Sequence, residues 1–206
     1  MNITPRHTTP ATSTLPLYAS MIVADAVGDD GEEFEVVMGL DKGMIAQLKE
    51  RSLDLSDKEL QTTSDYERFG KGSHEEWYAS KERTLFSFVH KPDCALAALA
   101  WFGPKPLGRK SMKHLSDEEK QQDERLLDSG DWHTIVYRSY APFRGKGLMK
   151  DFVRFTMDTY QNMHPGSKLW AGIFSANPAS VGLATALGFS VYEQGSDGRE
   201  TLMIKE

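Results

Sequence analysis

The string Phe143-Arg144-Gly145-Lys146-Gly147-Leu148-Met149 brings two glycines and two cations to the start of an apolar periodic run. Glycine lets a backbone come close to a ligand, and the first N–H groups of a helix have no intrahelical partner. A turn of this composition ahead of a helix is an anion-binding nest. Its fixed donors and the positive end of the helix dipole suit a pyrophosphate, each charge-assisted bond contributing on the order of 1.5–3 kcal/mol. Lys146 and Lys150 add positive charge nearby. The string is not a Gly-x-x-x-x-Gly-Lys-Ser/Thr nucleotide loop, and Lys150 falls where a Gly-x-Gly-x-x-Gly dinucleotide fingerprint has its third glycine. An ordinary turn that caps a helix would use the same residues.

A strand before the turn and a helix after it must hold it in position. The β-rich run at 132–140 supplies the strand, and from Gly147 onward Leu148, Phe152, Phe155 and Tyr160 fall on one side of a helix. A second strand follows at 169–174, and a second helix at 178–187 has Asn177 before Pro178 and Gly188 just past its end. Strands at 189–192 and 201–204 close the chain. Upstream, 34–38 reads as a strand and 43–51 as a helix, and Ser56, with Glu59 three residues later, opens another helix. A short amphipathic stretch at 73–81 carries Trp77 and Tyr78. The runs 84–89 and 95–101, broken at Lys91-Pro92-Asp93, read as a hairpin. The fold class is mixed α/β, with helices packed on a central sheet of about six to seven strands.

Composition narrows the function further. The 206 residues are 39% hydrophobic and 26% charged, which fits a soluble globular protein. At roughly 100–200 residues per domain this is one domain, expected over 16–206, preceded by a flexible Thr- and Pro-rich arm at 1–15. The net charge of −6 argues against a nucleic-acid partner. No apolar run approaches the roughly 20 residues of a membrane span. The single cysteine, Cys94, forms no internal disulfide and builds no cysteine-rich metal site, so a cytoplasmic home and no metal are expected. A polar insertion at about 104–130 contains a helix opening at Ser116, either a solvated surface element or a lid over a cleft.

The turn, its preceding strand and the later Asn177-Pro178-Ala179-Ser180…Leu187-Gly188-Phe189 together resemble the GNAT superfamily of acyl-CoA-dependent N-acyltransferases. The family's Arg/Gln-x-x-Gly-x-Gly/Ala loop corresponds to Arg144-Gly145-Lys146-Gly147-Leu148-Met149, with Met149 where the family has Gly or Ala. The resemblance covers 132–206 well, and less specifically 84–101 and 43–62. It implies acetyl-CoA as cosubstrate, with its pyrophosphate held at Arg144, Gly145, Lys146, Gly147, Leu148, Met149 and Lys150. Main-chain groups of Tyr137, Arg138 and Ser139 would bind the pantetheine arm and polarise the thioester where two strands splay. Asn177 would touch the pantetheine amide, act as the N-cap ahead of Pro178, or do both.

The implied reaction is attack by a primary amine on the thioester in a ternary complex, the amine belonging to a small molecule or a protein. The sequence also leaves room for a homodimer. Many members carry a Tyr seven residues after the Asn as general acid, and some a Glu five residues before it as base; here Ala184 and Gly172 occupy those positions. Substitutes are His133, which shares a pleat face with Tyr137 and Ser139 and is either a base or a hydrogen-bonded edge residue, and the hydroxyls of Ser175 and Tyr140. Trp77, Tyr78, Trp101 and Trp132 line an acceptor pocket or pack the core. The two empty positions motivate an alternative, an acyl-CoA-binding module of the same fold with little or no turnover. A nucleotide-phosphate enzyme ranks last, because the carboxylate and Ser/Thr pattern for Mg²⁺ is missing.

Overall fold

The computed structural model describes residues 1–6, 14–79, 83–109, 118, 130–196 and 198–206. The helix expected to open at Ser116 lies outside them. The chain divides into two compact units, one formed by Met1–Trp101 and Tyr137–Met163 and the other by Phe102–Val136 and His164–Glu206. Among the described residues nine strands and the helices between them make a mixed α/β fold.

In the first unit β1 (Asn2–Pro5), β2 (Ser20–Val27), β3 (Glu33–Gly39) and β4 (Thr84–His90) pair antiparallel in turn, and β5 (Ala95–Pro104) follows the turn after β4. Two of these strands exceed the six or seven expected. Asn2–Pro5, expected in a flexible arm, forms the edge of the sheet, where Pro5 needs no ladder partner on its outer side. Of the rest of that arm, 7–13 lie outside the described residues. β2 shows no clean alternation because a bulge between Ile22 and Ala24 inserts Val23 and resets the period.

Helix α1 (Lys42–Leu53) starts where Asp41 accepts a 2.8 Å bond from the Met44 N–H. α2 (Lys58–Gln61) is capped by Asp57, not by the expected Ser56; the Asp57 carboxylate accepts from the Leu60 N–H at 3.0 Å. A π-helical turn, Tyr66–Gly70, and α3 (His74–Ala79) complete the segment. α4 (Leu148–Met163) buries Leu148, Phe152, Val153, Thr156, Met157 and Tyr160 along one stripe. Phe88 joins this helix to the sheet, stacked on Phe34 at 4.5 Å and 5.0 Å from the Phe152 ring.

In the second unit residues 132–134 of β6 (Trp132–Ser139) run parallel to β7 (Lys168–Phe174). β9 (Glu200–Lys205) pairs antiparallel with β7, and β8 (Ser190–Val191) with β9. The parallel register covers only Trp132↔Lys168 to Thr134↔Trp170. Beyond it no further pair joins β6 to β7 among the described residues, while β7 keeps its ladder to β9 as far as Phe174↔Glu200. α5 (Pro178–Ala186) ends at Gly188, whose φ of +89° suits a residue without a Cβ. Among the described residues no helix is long and apolar enough to cross a membrane.

Candidate functional site

Phe143 anchors the glycine turn. Its side chain is buried, edge-on to Phe34 at 5.8 Å and 5.2 Å from the His90 ring, and its N–H donates to the Tyr140 carbonyl at 2.9 Å. Gly145 and Gly147 both have φ of +75°, and a Cβ built on either would meet no atom within 4 Å. The turn is therefore a solvent-facing arc of main chain leading into Leu148, the first residue of α4. The first N–H groups of a helix have no intrahelical partner.

The cations of the turn face elsewhere. Arg144 donates to the Ser139 carbonyl (2.9 Å) and to Asp57 (2.7 Å), with Glu59 at 3.6 Å. The Lys146 ammonium sits between both oxygens of Glu32, each at 2.8 Å, and that bond raises its pKa. Burial pushes Asp57 up, but bonds from Arg144 and the Leu60 N–H outweigh it and hold the carboxyl below its usual range. Lys150 is exposed. The cradle thus offers main-chain donors first, while two of its three basic side chains are engaged by carboxylates.

The end of β6 carries a denser charge cluster. Asp65 is fully buried and accepts two bonds from Arg138, Nε at 2.8 Å and Nη2 at 3.3 Å, plus one from Arg68 Nη1 at 3.2 Å. Arg138 Nη1 also donates to the Tyr137 carbonyl at 2.9 Å. Both guanidinium groups lie over Trp101, at 5.6 Å for Arg68 and 5.4 Å for Arg138. Burial lowers the Arg68 pKa; Asp65 opposes that shift and Arg138 adds to it. Tyr140 is buried beneath the Arg51 guanidinium (5.3 Å), and its hydroxyl has no hydrogen-bond partner among the described residues. Burial raises its pKa strongly, so the phenol holds its proton at neutral pH and is a poor donor to a thiolate.

His133, Ser175, Asn177, Ala184, Gly172 and Trp132 belong to the second unit. His133 opens β6, six residues before Ser139, and at about 3.3 Å per residue the two stand at opposite ends of the strand. Its ring lies 5.4 Å from that of His164, and burial, with His164 adding to it and Asp131 opposing, keeps the imidazole below its usual pKa. The exposed Ser175 hydroxyl is 3.3 Å from that of Thr201. Asn177 caps α5, its Oδ1 accepting from the Ser180 N–H at 3.0 Å, which leaves its amide NH₂ without a partner among the described residues. Ala184 is buried in the same helix. Gly172 has no side chain, but the Glu200 carboxylate from β9 occupies the space a Cβ there would take. Trp132 packs under the Lys168 ammonium at 5.5 Å, while Trp77 and Trp101 meet edge-on at 5.6 Å in the first unit, where the Tyr78 hydroxyl donates to the Leu15 carbonyl.

The first unit therefore brings together Tyr137, Arg138, Ser139, Tyr140 and residues 144–150, and adds Asp57, Asp65 and Arg68. Asp57 and Asp65 take their partners Arg144 and Arg138 from 87 and 73 positions away, which no local motif marks. Glu200 was legible only through the register Phe174↔Glu200.

No protein-family model and no curated protein matches the chain. Solved structures do. The GNAT domain of S. lividans PAT aligns over 88% of this chain and 94% of its own at 13% identity, with a TM-score of 0.59. A GNAT-family acetyltransferase from Listeria monocytogenes aligns over 88% and 99% at 17% identity, TM-score 0.58. Spermidine N-acetyltransferase from Vibrio cholerae, in complex with CoA and spermine, aligns over 82% and 92% at 14% identity, TM-score 0.54. At such identities the likeness is one of fold: this chain has the fold of the GNAT acetyltransferases.

Proposed function

We propose that this chain, folded as the GNAT acetyltransferases are, transfers an acetyl group from acetyl-CoA to a primary amine. The reading is carried by one observation, the pair of positive-φ glycines open to solvent at the start of α4. A pyrophosphate bound at that arc would be held by the backbone N–H groups of 145–150. The Met149 side chain does not interfere with this use of its N–H. Main-chain groups at Tyr137, Arg138 and Ser139 would orient the thioester.

The thioester supplies an acyl group on a good leaving group; the chain must orient it and move one proton. His133, at the far end of β6, is assigned no proton transfer.

The second reading, an acyl-CoA-binding module, is favoured by Ala184 and Gly172. Thiol release from acetyl-CoA across a broad amine panel separates the two. Acceptor-dependent release above the solvent rate supports the transferase; tight binding with release at the solvent rate throughout supports the module.

A further inference from the structure

We infer that the acceptor amine carries a carboxylate and that Arg68 binds it. The inference rests on the acetyl transfer proposed above and specifies its second substrate. Two guanidinium groups converge on one buried carboxylate, and Arg138 already takes both Asp65 oxygens. Arg68 adds a single 3.2 Å bond, and its remaining N–H donors have no partner among the described residues. Asp65 neutralises one of the two cations, so the cluster keeps one positive charge in excess. The Arg68 side chain is 28% exposed, against 0% for Asp65, so the excess charge is partly desolvated yet reachable from solvent.

A half-desolvated cation with unsatisfied donors is costly, and an anion from solvent relieves that cost. A guanidinium offers a planar fork that matches a carboxylate, and Phe69 and Trp101, each 5.6 Å away, hold its plane. Arg68 lies at the centre of the π-helical turn Tyr66–Gly70, an irregularity found frequently at functional sites. Asp65 links it directly to Arg138, the residue between Tyr137 and Ser139. A carboxylate on Arg68 therefore holds an amino-acid-sized molecule near the end of β6, where the thioester is proposed to lie. The same excess charge repels a polyamine. In the reaction the amine nitrogen bonds to the acetyl carbon, the carbon–sulfur bond breaks, and the proton lost by the amine is balanced by the one gained by the CoA thiolate.

The test uses the full chain with saturating acetyl-CoA and the twenty L-amino acids, each paired with its carboxamide, and reads thiol release. Acetyl-CoA affinity is measured calorimetrically in parallel. At least one amino acid is expected to turn over, with its amide showing a KM about 10- to 100-fold higher. Arg68→Gln should raise the acid's KM to that of the amide while kcat and acetyl-CoA affinity stay near wild type, and Arg68→Lys should fall between. Asp65 keeps its two bonds from Arg138 in both variants, so both are expected to fold, and their melting temperatures check this. Amides used as well as acids, turnover confined to amines without a carboxylate, or an unchanged acid-to-amide ratio in Arg68→Gln would overturn the inference. So would bound acetyl-CoA with no amino acid acetylated, an outcome that leaves the cosubstrate reading intact. Failure of the wild type to bind acetyl-CoA instead marks failure of that reading itself.

Discussion

In the turn at 143–150 the glycine main chain is open to solvent, and the side chains of Arg144 and Lys146 are tied back to Asp57 and Glu32. Around Asp65 the arrangement is reversed: the donors are guanidinium groups, the carboxylate between them has no exposure, and one cation is left in excess. A main-chain cradle tolerates many side-chain changes but not a change of backbone conformation. A side-chain cluster tolerates backbone variation nearby but not the loss of one charge. The two should therefore respond to substitution in different observables, the first in cosubstrate affinity and the second in stability and acceptor choice.

The largest effect is expected from Asp65→Ala, which leaves two partly buried guanidinium groups facing each other. Breaking a buried ionic cluster from one side costs about 3–5 kcal/mol, a fall in melting temperature of roughly 6–20 °C for a chain of this size. Thermal unfolding checks it, and a loss below about 1 kcal/mol would put the Asp65 cluster on the same footing as a surface pair.

Gly145→Val comes next. A β-branched residue at φ of +75° is strained by about 1–2 kcal/mol, and the turn should relax away from its ligand-binding shape. Acetyl-CoA affinity is expected to fall by about tenfold, read by calorimetry, with the Arg68-dependent acid-to-amide ratio unchanged. A change in that ratio would mean the two sites are not separable.

Asp57→Asn sharpens the contrast from the opposite side. Asn caps a helix as well as Asp, so α2 should persist and stability should change little. The Arg144 guanidinium loses its 2.7 Å carboxylate partner and becomes available to phosphate. Acetyl-CoA affinity is expected to rise about three- to tenfold, the range of one charge-assisted bond shared with solvent. Unchanged affinity would show that Arg144 serves the turn only through Ser139.

The smallest effect concerns pH. His74, which lies beside Phe69 at 6.4 Å, is held below its usual pKa, chiefly by burial, with Arg83 adding to the shift and Glu75 opposing it. Below the unfolded value near 6.5 the unfolded chain takes up the proton more readily, so stability falls as pH drops from about 6.5 through the lowered native value. Denaturant unfolding between pH 7 and 5 should show this slope, and His74→Gln should flatten it. An equal slope in the variant would assign the effect to other groups such as His133.

The same contrast decides what the sequence revealed. The glycine turn, the Asn177-Pro178 helix start and the Gly188 stop are local, each readable from neighbouring residues, and all three appear where expected. The hairpin at 84–101 and the strands of the second unit follow from apolar runs bounded by turns. β2 escaped because its bulge breaks the period of two, and β1 because four half-polar residues carry no pattern until β2 supplies a partner. Ser56 and Asp57 are both capping residues one position apart, and only the backbone decides between them. The Asp65 cluster was illegible for a different reason: Asp65 and Arg138 are 73 positions apart, and nothing at either position signals the other.

The central claim is that the backbone of the 144–150 turn holds the acyl donor's pyrophosphate. Its most direct test is calorimetric titration of wild type and Gly147→Pro with acetyl-CoA, with ATP and NAD as controls. Proline cannot adopt the +75° φ of residue 147 and carries no N–H. The expected result is binding of acetyl-CoA in clear preference to ATP and NAD by the wild type, lost by about 100-fold or more in a folded Gly147→Pro variant. No binding by folded wild type, or equal binding by Gly147→Pro, would contradict it.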